Sequence, residues 1–326
     1  MNADIFAEWF RRQGYKVIHT PSSYWYEAGN RVYQAFPYDW VIEPDEGELR
    51  NLLLENNAIA LRYSGPLTAK EGKISYHVVC ENKGYDLDCL CRQTRQNVKR
   101  GLQAVSIEPI PISRLATEAW DLRRDTLERQ GRRGAETKEW WQRLCLSAED
   151  LPGFEGWGAI SEGKLIASFL AFKCDHCYHL LHEQSSTAHL ESRSNNAIFY
   201  YVIREAFKRH DISVAFFCLQ SLDAPASVDQ FKFRMGCTAK PVRQRIVFHP
   251  CFRPLVNRLA HRLVSRLLNR YEGNRVLAKA EGMFRFYLQG KRPLEEQDLP
   301  DCFSDCRDGL LEAPDSAQKK ILSKVS

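Results

Sequence analysis

His182 and Glu183 stand side by side at the end of an apolar, strand-like run that begins at Cys177. Alternation along a strand sends them to opposite faces. Polar side chains on an internal strand need partners, structural or chemical. Asp223 follows the next strand-like run, Ile212–Cys218, at a loop of the kind where α/β proteins place function. Asp229 and Lys232, three apart on a short helical stretch, share a face. These residue types suit general acid–base work: a base relieves a nucleophile of its proton, and a donor or cation serves the leaving side. Glu183, His182, Asp223 and Lys232 are the catalytic candidates, against the plainer alternative of surface ion pairs and caps.

Two further groups suit anions. Ser192, Arg193, Ser194, Asn195 and Asn196 lead into a helical pattern running from about Asn195 to Arg209. Free N–H groups and the dipole at a helix start favour a phosphate, although Asn195 would also serve as a simple cap. Between residues 86 and 101, Arg92, Arg95 and Lys99 share one helical face, with Arg100 beside them. Such a face binds a polyanion in a salt-dependent way, or is merely solvated. The Cys174-x-x-Cys177 pair, with His176 and His179 nearby, falls at a hairpin turn and has no second pair, so no metal is assigned. Cys145 and Cys218 read as core residues.

The elements that must position these groups follow from periodicity. Residues 1–14 predict a helix with Ile5, Phe6, Trp9 and Phe10 on one face. Strands are predicted at 15–19, twice within 23–36, and at 59–63 and 74–79, with a helix at 45–56. The helix at 86–101 carries Leu87, Leu90, Thr94 and Val98 on its apolar face, and Gly101 stands where it should stop. Helices at 114–130 and 137–148 precede strands at 157–160, 164–173 and 177–183. Ser161-Glu162-Gly163 and Cys174-Asp175-His176 supply the two hairpin turns. A helix, the strand 212–218, a short helix at 227–235 and a strand at 242–248 complete the series. A hairpin-rich start followed by β-α-β-α-β is not a doubly wound order.

Residues 253–290 read as basic helices. Leu255, Leu259, Leu263 and Leu267 form one stripe, and Arg258, Arg262, Arg266 and Arg270 the next. We expect this extension to pack on the catalytic domain with its basic face solvated. Peripheral contact with an anionic membrane is the alternative. The polar stretch 293–326 is expected to be poorly ordered.

Composition sets the outer limits. The chain has 326 residues, 44% hydrophobic and 27% charged, which allows one large domain or two small ones and argues against bulk disorder. The net charge of +5 suits a nucleotide-like cofactor or a tRNA end without requiring either. The eleven cysteines are an odd count, and the amphipathic start bearing Asp4 and Glu8 does not read as a secretory leader. Reduced thiols in a cytoplasmic protein are expected. No run of about 18 apolar residues reads as a membrane span.

Three segments together resemble the Fem/BioF-type branch of the GNAT acyltransferase superfamily. Cys91-Arg92-Gln93-Thr94-Arg95-Gln96-Asn97-Val98-Lys99-Arg100-Gly101 is similar to that branch's basic helix. Trp157-Gly158-Ala159-Ile160-Ser161-Glu162-Gly163-Lys164-Leu165-Ile166-Ala167-Ser168 resembles the hairpin in which a small residue replaces bulk on the strand facing the acyl donor. Asp229-Gln230-Phe231-Lys232-Phe233-Arg234-Met235-Gly236 resembles a late helix end of the form F-K-x-x-[FMW]-G. The resemblance covers residues 85–250. It implies an α/β (α+β) fold with a GNAT-like mixed, mostly antiparallel central sheet flanked by helices, and a C-terminal helical extension. It also suggests a tandem arrangement: a reduced N-terminal half at 1–105, a catalytic domain at 106–250, an extension at 251–292 and the tail at 293–326.

The resemblance implies that two strands part near His182 and Phe217, leaving room for an activated acyl group beside a helix start. It implies N-acyl transfer from acetyl-CoA or another acyl-CoA to an amine of an amino sugar, amino acid or cell-envelope precursor. Lys232 would then stabilise a phosphate or the acyl oxygen. The usual glycines are missing from Leu190-Glu191-Ser192-Arg193-Ser194-Asn195-Asn196, and this loop is more like the Fem-type members that take their acyl group from aminoacyl-tRNA. The alternatives are therefore aminoacyl-tRNA-dependent transfer and a non-catalytic binding protein on the same scaffold.

Overall fold

The computed structural model describes residues 2–132, 136–222, 227–271, 274–306 and 310. They form two compact units, each drawing on distant stretches of chain. The first takes Met1–Gly14, Val79–Cys218 and Ser227–Cys237, and the second takes Tyr15–Val78, Leu219–Ala226 and Thr238–Ser326.

The second unit holds β1 (Val17–His19), β2 (Tyr24–Gly29), β3 (Val32–Phe36), α2 (Glu46–Glu55), β4 (Ala60–Gly65), most of β5 (Lys73–Cys80), β11 (Thr238–Phe248), α8 (Arg258–Arg270) and α9 (Arg275–Gly290). Its strands run in the order β1-β2-β3-β4-β11-β5. Antiparallel pairing prevails, with β3 beside β4 as a parallel pair. Trp25, Tyr33, Leu49, Leu52, Leu53 and Leu61 fill the core on one side. Phe248 meets Phe286 and Tyr287 of α9 on the other.

Within this unit α8 turns a half-buried side, carrying His261, Val264 and Leu268, inward. His261 Nε2 lies 2.9 Å from Glu281 Oε1 of α9. The packed leucine stripe predicted for α8 is not observed, because Leu259, Leu263 and Leu267 point to solvent instead. Past α9, Leu294–Glu296 and Asp301–Cys306 form short 3-10 turns. Nearly all of the remaining predicted tail lies outside the described residues.

The first unit holds α1 (Asn2–Arg12), α3 (Arg92–Ala104), β6 (Ser106–Ile110), α4 (Ile112–Arg129), α5 (Lys138–Leu146), β7 (Phe154–Ser161), β8 (Lys164–Cys174), β9 (Cys177–Ser185), α6 (Ser194–Phe207), β10 (Val214–Leu219) and α7 (Ser227–Arg234). Its strand order is β10-β9-β8-β7-β6. The pairs β6–β7, β7–β8 and β8–β9 are antiparallel, and β9–β10 is parallel. The amphipathic face of α1 is buried here: Phe6 lies 4.8 Å, ring to ring, from Phe172, and the Trp9 indole donates to the Leu144 carbonyl. β6 is absent from the sequence-based expectations. Its Pro109 cannot donate to a ladder, which breaks the strand signature but is tolerated on an edge strand.

Gly101 does not end α3, which continues to Ala104. A Cβ on Gly101 would lie 2.5 Å from the Arg193 carbonyl oxygen and 2.8 Å from the Ala197 Cβ. The glycine thus lets α3 press onto the start of α6. Gly101→Ala should lower stability by about 1–3 kcal/mol, because overpacking outweighs the better helix propensity of alanine. Urea unfolding measures this, and a variant as stable as the parent would show that the helices can separate at no cost.

Candidate active site

Pairing between β9 and β10 begins at Cys177 opposite Val214 and ends at His179 opposite Phe216. Both strands continue, β9 to Ser185 and β10 to Leu219. The cause of the divergence is visible on the other side of β9. There Ala171 pairs with Leu180 and Leu170 with His182, so Leu181 is an extra residue in the ladder. A bulge of this kind bends its strand and sharpens the twist. Beyond it a cleft of about 520 Å³ opens, lined by Leu180–Ser185 of β9 and by Phe217 and Cys218 of β10.

Glu183, His182, Lys232 and Asn195 all line this cleft. Burial pushes the Glu183 carboxyl up to about 7, against the opposing pull of Lys232 and Arg129. A carboxyl poised there exchanges a proton near neutrality. Burial, aided by Arg123, holds the His182 imidazole well below its ordinary value. The ring stands edge-on to Trp141, 5.9 Å between centroids, and to Trp140 at 6.3 Å. His182 is therefore a neutral wall of the cleft rather than a cation.

Lys232 Nζ lies 3.0 Å from Asp229 Oδ1 and 3.0 Å from Cys218 Sγ. Burial would lower the ammonium, but Cys218 and Asp229 more than offset it and hold it above its usual value. Burial also raises the Cys218 thiol despite Lys232. Cys218, read from sequence as a core residue, is largely buried but also lines the cleft. Asp223 lies outside the described residues.

At the start of α6 the predicted donor loop divides. Arg193 takes a left-handed backbone with φ 60°, and its side chain makes no capping bond. Ser192 Oγ donates to the His189 carbonyl at 2.6 Å, and Asn196 Nδ2 to Met235 Sδ at 3.3 Å. Asn195 faces the cleft. The Ser194 hydroxyl and the Asn195 carbonyl oxygen are buried without a hydrogen-bond partner among the described residues. The Ser194 hydroxyl, next to first-turn N–H groups with no intrahelical acceptor, suits an anionic ligand, whereas the Asn195 Oδ1 accepts and suits a ligand N–H or O–H.

The basic residues of α3 do not enter the cleft lining. Arg92, Lys99 and Arg100 are exposed, while Arg95 is drawn to the Leu90 carbonyl and to Asp88. In the Trp157–Ser168 hairpin, where the resemblance implied a small residue facing an acyl donor, Gly158 makes room for packing. A Cβ there would meet Leu165 Cδ1 at 2.8 Å and Ile110 Cγ2 at 3.0 Å.

The cleft's opposite wall escaped sequence analysis. It comes from α4 and the residues after it: Arg123, Thr126, Arg129, Gln130 and Arg132. Thr126 Oγ accepts from the Ser185 amide at 2.9 Å and donates to its carbonyl at 3.1 Å. Arg129 donates to Ser185 Oγ at 3.0 Å and to Thr187 Oγ at 2.6 Å. These bonds hold the free end of β9. Arg123 is clamped by Glu136 at 2.8 and 2.6 Å. A signal was available: Arg123, Thr126 and Gln130 recur at helical spacing, and Thr126 interrupts the buried face of α4.

Comparison with known proteins speaks to the fold. No protein-family profile and no curated protein sequence matches this chain. Among solved structures, FemX matches at a TM-score of 0.53 with 11% identity, covering 77% of this chain and 93% of its own. The C-terminal domain of a putative lysylphosphatidylglycerol synthetase from Agrobacterium fabrum matches at 0.51 with 12% identity, covering 74% and 87%. The fold is similar to that of FemX. The expected mixed, mostly antiparallel sheet flanked by helices is the one observed.

Because the fold raises the Glu183 pKa above its unfolded value, ionising that carboxyl opposes folding. Its contribution to stability is fully present below about pH 4 and is lost as pH rises through about 7. Glu183→Gln should therefore be more stable than the parent at pH 8, by up to about 3 kcal/mol, with the gain shrinking to nothing near pH 4. Urea unfolding across that range is the measurement, and a gain that does not vary with pH would contradict the placement of Glu183.

Proposed function

We propose that this protein is an N-acyltransferase that moves an acyl group from an acyl-CoA to an amine of an amino sugar, amino acid or cell-envelope precursor. The observation that carries the reading is the parting of β9 and β10 after His179 and Phe216, with Glu183, Lys232 and the start of α6 around the gap. A thioester bound there supplies the activated carbonyl. Its phosphates would lie toward the first-turn N–H groups of α6, where the Ser194 hydroxyl is a further donor without a partner among the described residues.

The chain's own groups then have distinct tasks. Glu183, with its carboxyl near 7, takes a proton from the acceptor ammonium, so that the amine lone pair attacks the carbonyl carbon. The Lys232 ammonium, kept charged by Asp229, meets negative charge developing on oxygen or carried by phosphate. The C–S bond then breaks as the attacking nitrogen gives up a second proton, which the departing thiolate takes up, and Glu183 later releases the first proton to solvent. Neutral His182, backed by Trp140 and Trp141, adds no charge to the cleft lining.

A second reading, transfer from aminoacyl-tRNA, is favoured by one feature: Arg92, Lys99 and Arg100 lie exposed on α3, whose Gly101 touches the start of α6. The Fem-type fold is compatible with either donor.

Melting curves with acetyl-CoA, longer acyl-CoAs and aminoacyl-tRNA distinguish the two. A donor at 100 times its Kd adds about 2.7 kcal/mol to the folded state. A shift with acyl-CoA supports the first reading and a shift with aminoacyl-tRNA alone supports the second. No shift with any donor would remove both. Under the acyl-CoA reading, kcat/KM should rise with pH along a limb centred near 7. Glu183→Gln should abolish that limb and lower kcat by about 10²–10⁴-fold. An unchanged limb in the variant would assign the proton to another group.

A further inference from the structure

Ten large hydrophobic side chains are exposed among the described residues, and seven of them fall between Phe252 and Val276. Leu255, Leu259, Leu263 and Leu267 are 63%, 70%, 58% and 45% exposed, with Tyr271 at 55% and Val276 at 63%. No residue of α8 is fully buried. Four-residue spacing within α8 sets Leu259, Leu263 and Leu267 along one stripe, and Leu255 lies exposed in the turn before it. Arg258, Arg262, Arg266 and Arg270 run beside it, all exposed. The segment 251–270 contains five arginines and no Asp or Glu. Where α8 begins, Arg253, Arg258 and Lys291 line a wide cleft of about 640 Å³ together with Tyr287 and Leu288.

A merely solvated helix would not expose this leucine stripe, since singly scattered apolar residues are ordinary but a contiguous set marks an interaction surface. A polyanion such as RNA would use the arginines and gain nothing from the leucines. The interface of an anionic bilayer uses both: leucines enter the acyl boundary while arginines meet lipid phosphates. At 13 residues α8 is about 20 Å long, short of the roughly 30 Å hydrocarbon layer. No helix among the described residues is long and apolar enough to cross a membrane.

We propose that α8, with Leu255 leading into it and the cationic cleft at its start, docks this protein in the plane of an anionic phospholipid surface. The proposal stands apart from the transferase reading, because lipid binding is measured without turnover.

The test is co-sedimentation of the full chain with vesicles of phosphatidylcholine alone and of phosphatidylcholine with about 30% phosphatidylglycerol as the anionic lipid. Binding is expected to the anionic vesicles, weakly or not at all to the neutral ones, and to fall with added salt. Leu259→Ser/Leu263→Ser and Arg262→Ala/Arg266→Ala should each weaken it at least tenfold. Both pairs lie on exposed positions, so melting curves should match the parent and exclude misfolding as the cause. Failure of the parent to bind anionic vesicles overturns the proposal. So does loss of binding in the arginine variant with full binding in the leucine variant, which would point to a polyanion. A parent dimer that the leucine variant dissolves would give the stripe to a second copy and also overturn it.

Discussion

A parallel strand pair that stops pairing halfway along its length exposes backbone and side chains that a closed sheet would bury. In this protein β9 and β10 are joined only from Cys177 and Val214 to His179 and Phe216. The extra residue Leu181 turns β9 aside immediately afterwards. Everything proposed for the cleft depends on that divergence. It gives Glu183 surroundings that raise its carboxyl, brings Phe217 and Cys218 into the lining, and leaves a helix start free to meet a ligand. Were β9 and β10 paired to their ends, Glu183 and Lys232 would be buried residues with no access to a substrate.

An open seam in a sheet must be held by something other than ladder bonds. Thr126 and Arg129 of α4 do this by gripping Ser185 and Thr187, beyond the divergence. On the other side α7 supplies Lys232, whose charge is kept in place by Asp229 and Cys218. Polar groups on both walls thus serve two ends at once. They satisfy β9 after it leaves its neighbour, and they set the electrostatics of the space it leaves.

α8 follows a different logic. Its exposed leucines are not explained by the packing of its own unit, in which the half-buried His261 side already meets α9. In water such a stripe is unfavourable unless something covers it. The absence of acidic residues from 251–270 narrows what can do so.

The sequence alone determined most of the elements. Apolar period and turn residues located α1, α2, α4–α7 and the hairpins β7–β8 and β8–β9 to within a few residues, because local chemistry dictates them. It also singled out Glu183, His182 and Lys232, since charged groups on strand-like and short helical runs stand out from their neighbours. It gave no warning of β6, where Pro109 hides an edge strand, and it took Gly101 for a helix stop when its role is contact with Arg193 and Ala197. Only the tertiary structure decided that the first helix belongs to the unit built from residues 79–218. The same is true of the Arg123–Arg132 wall facing Glu183, and of the α8 leucines that stay in solvent. The reason is common to all three: partners far apart in the chain choose which amphipathic face is buried, and a face's own sequence cannot name its partner.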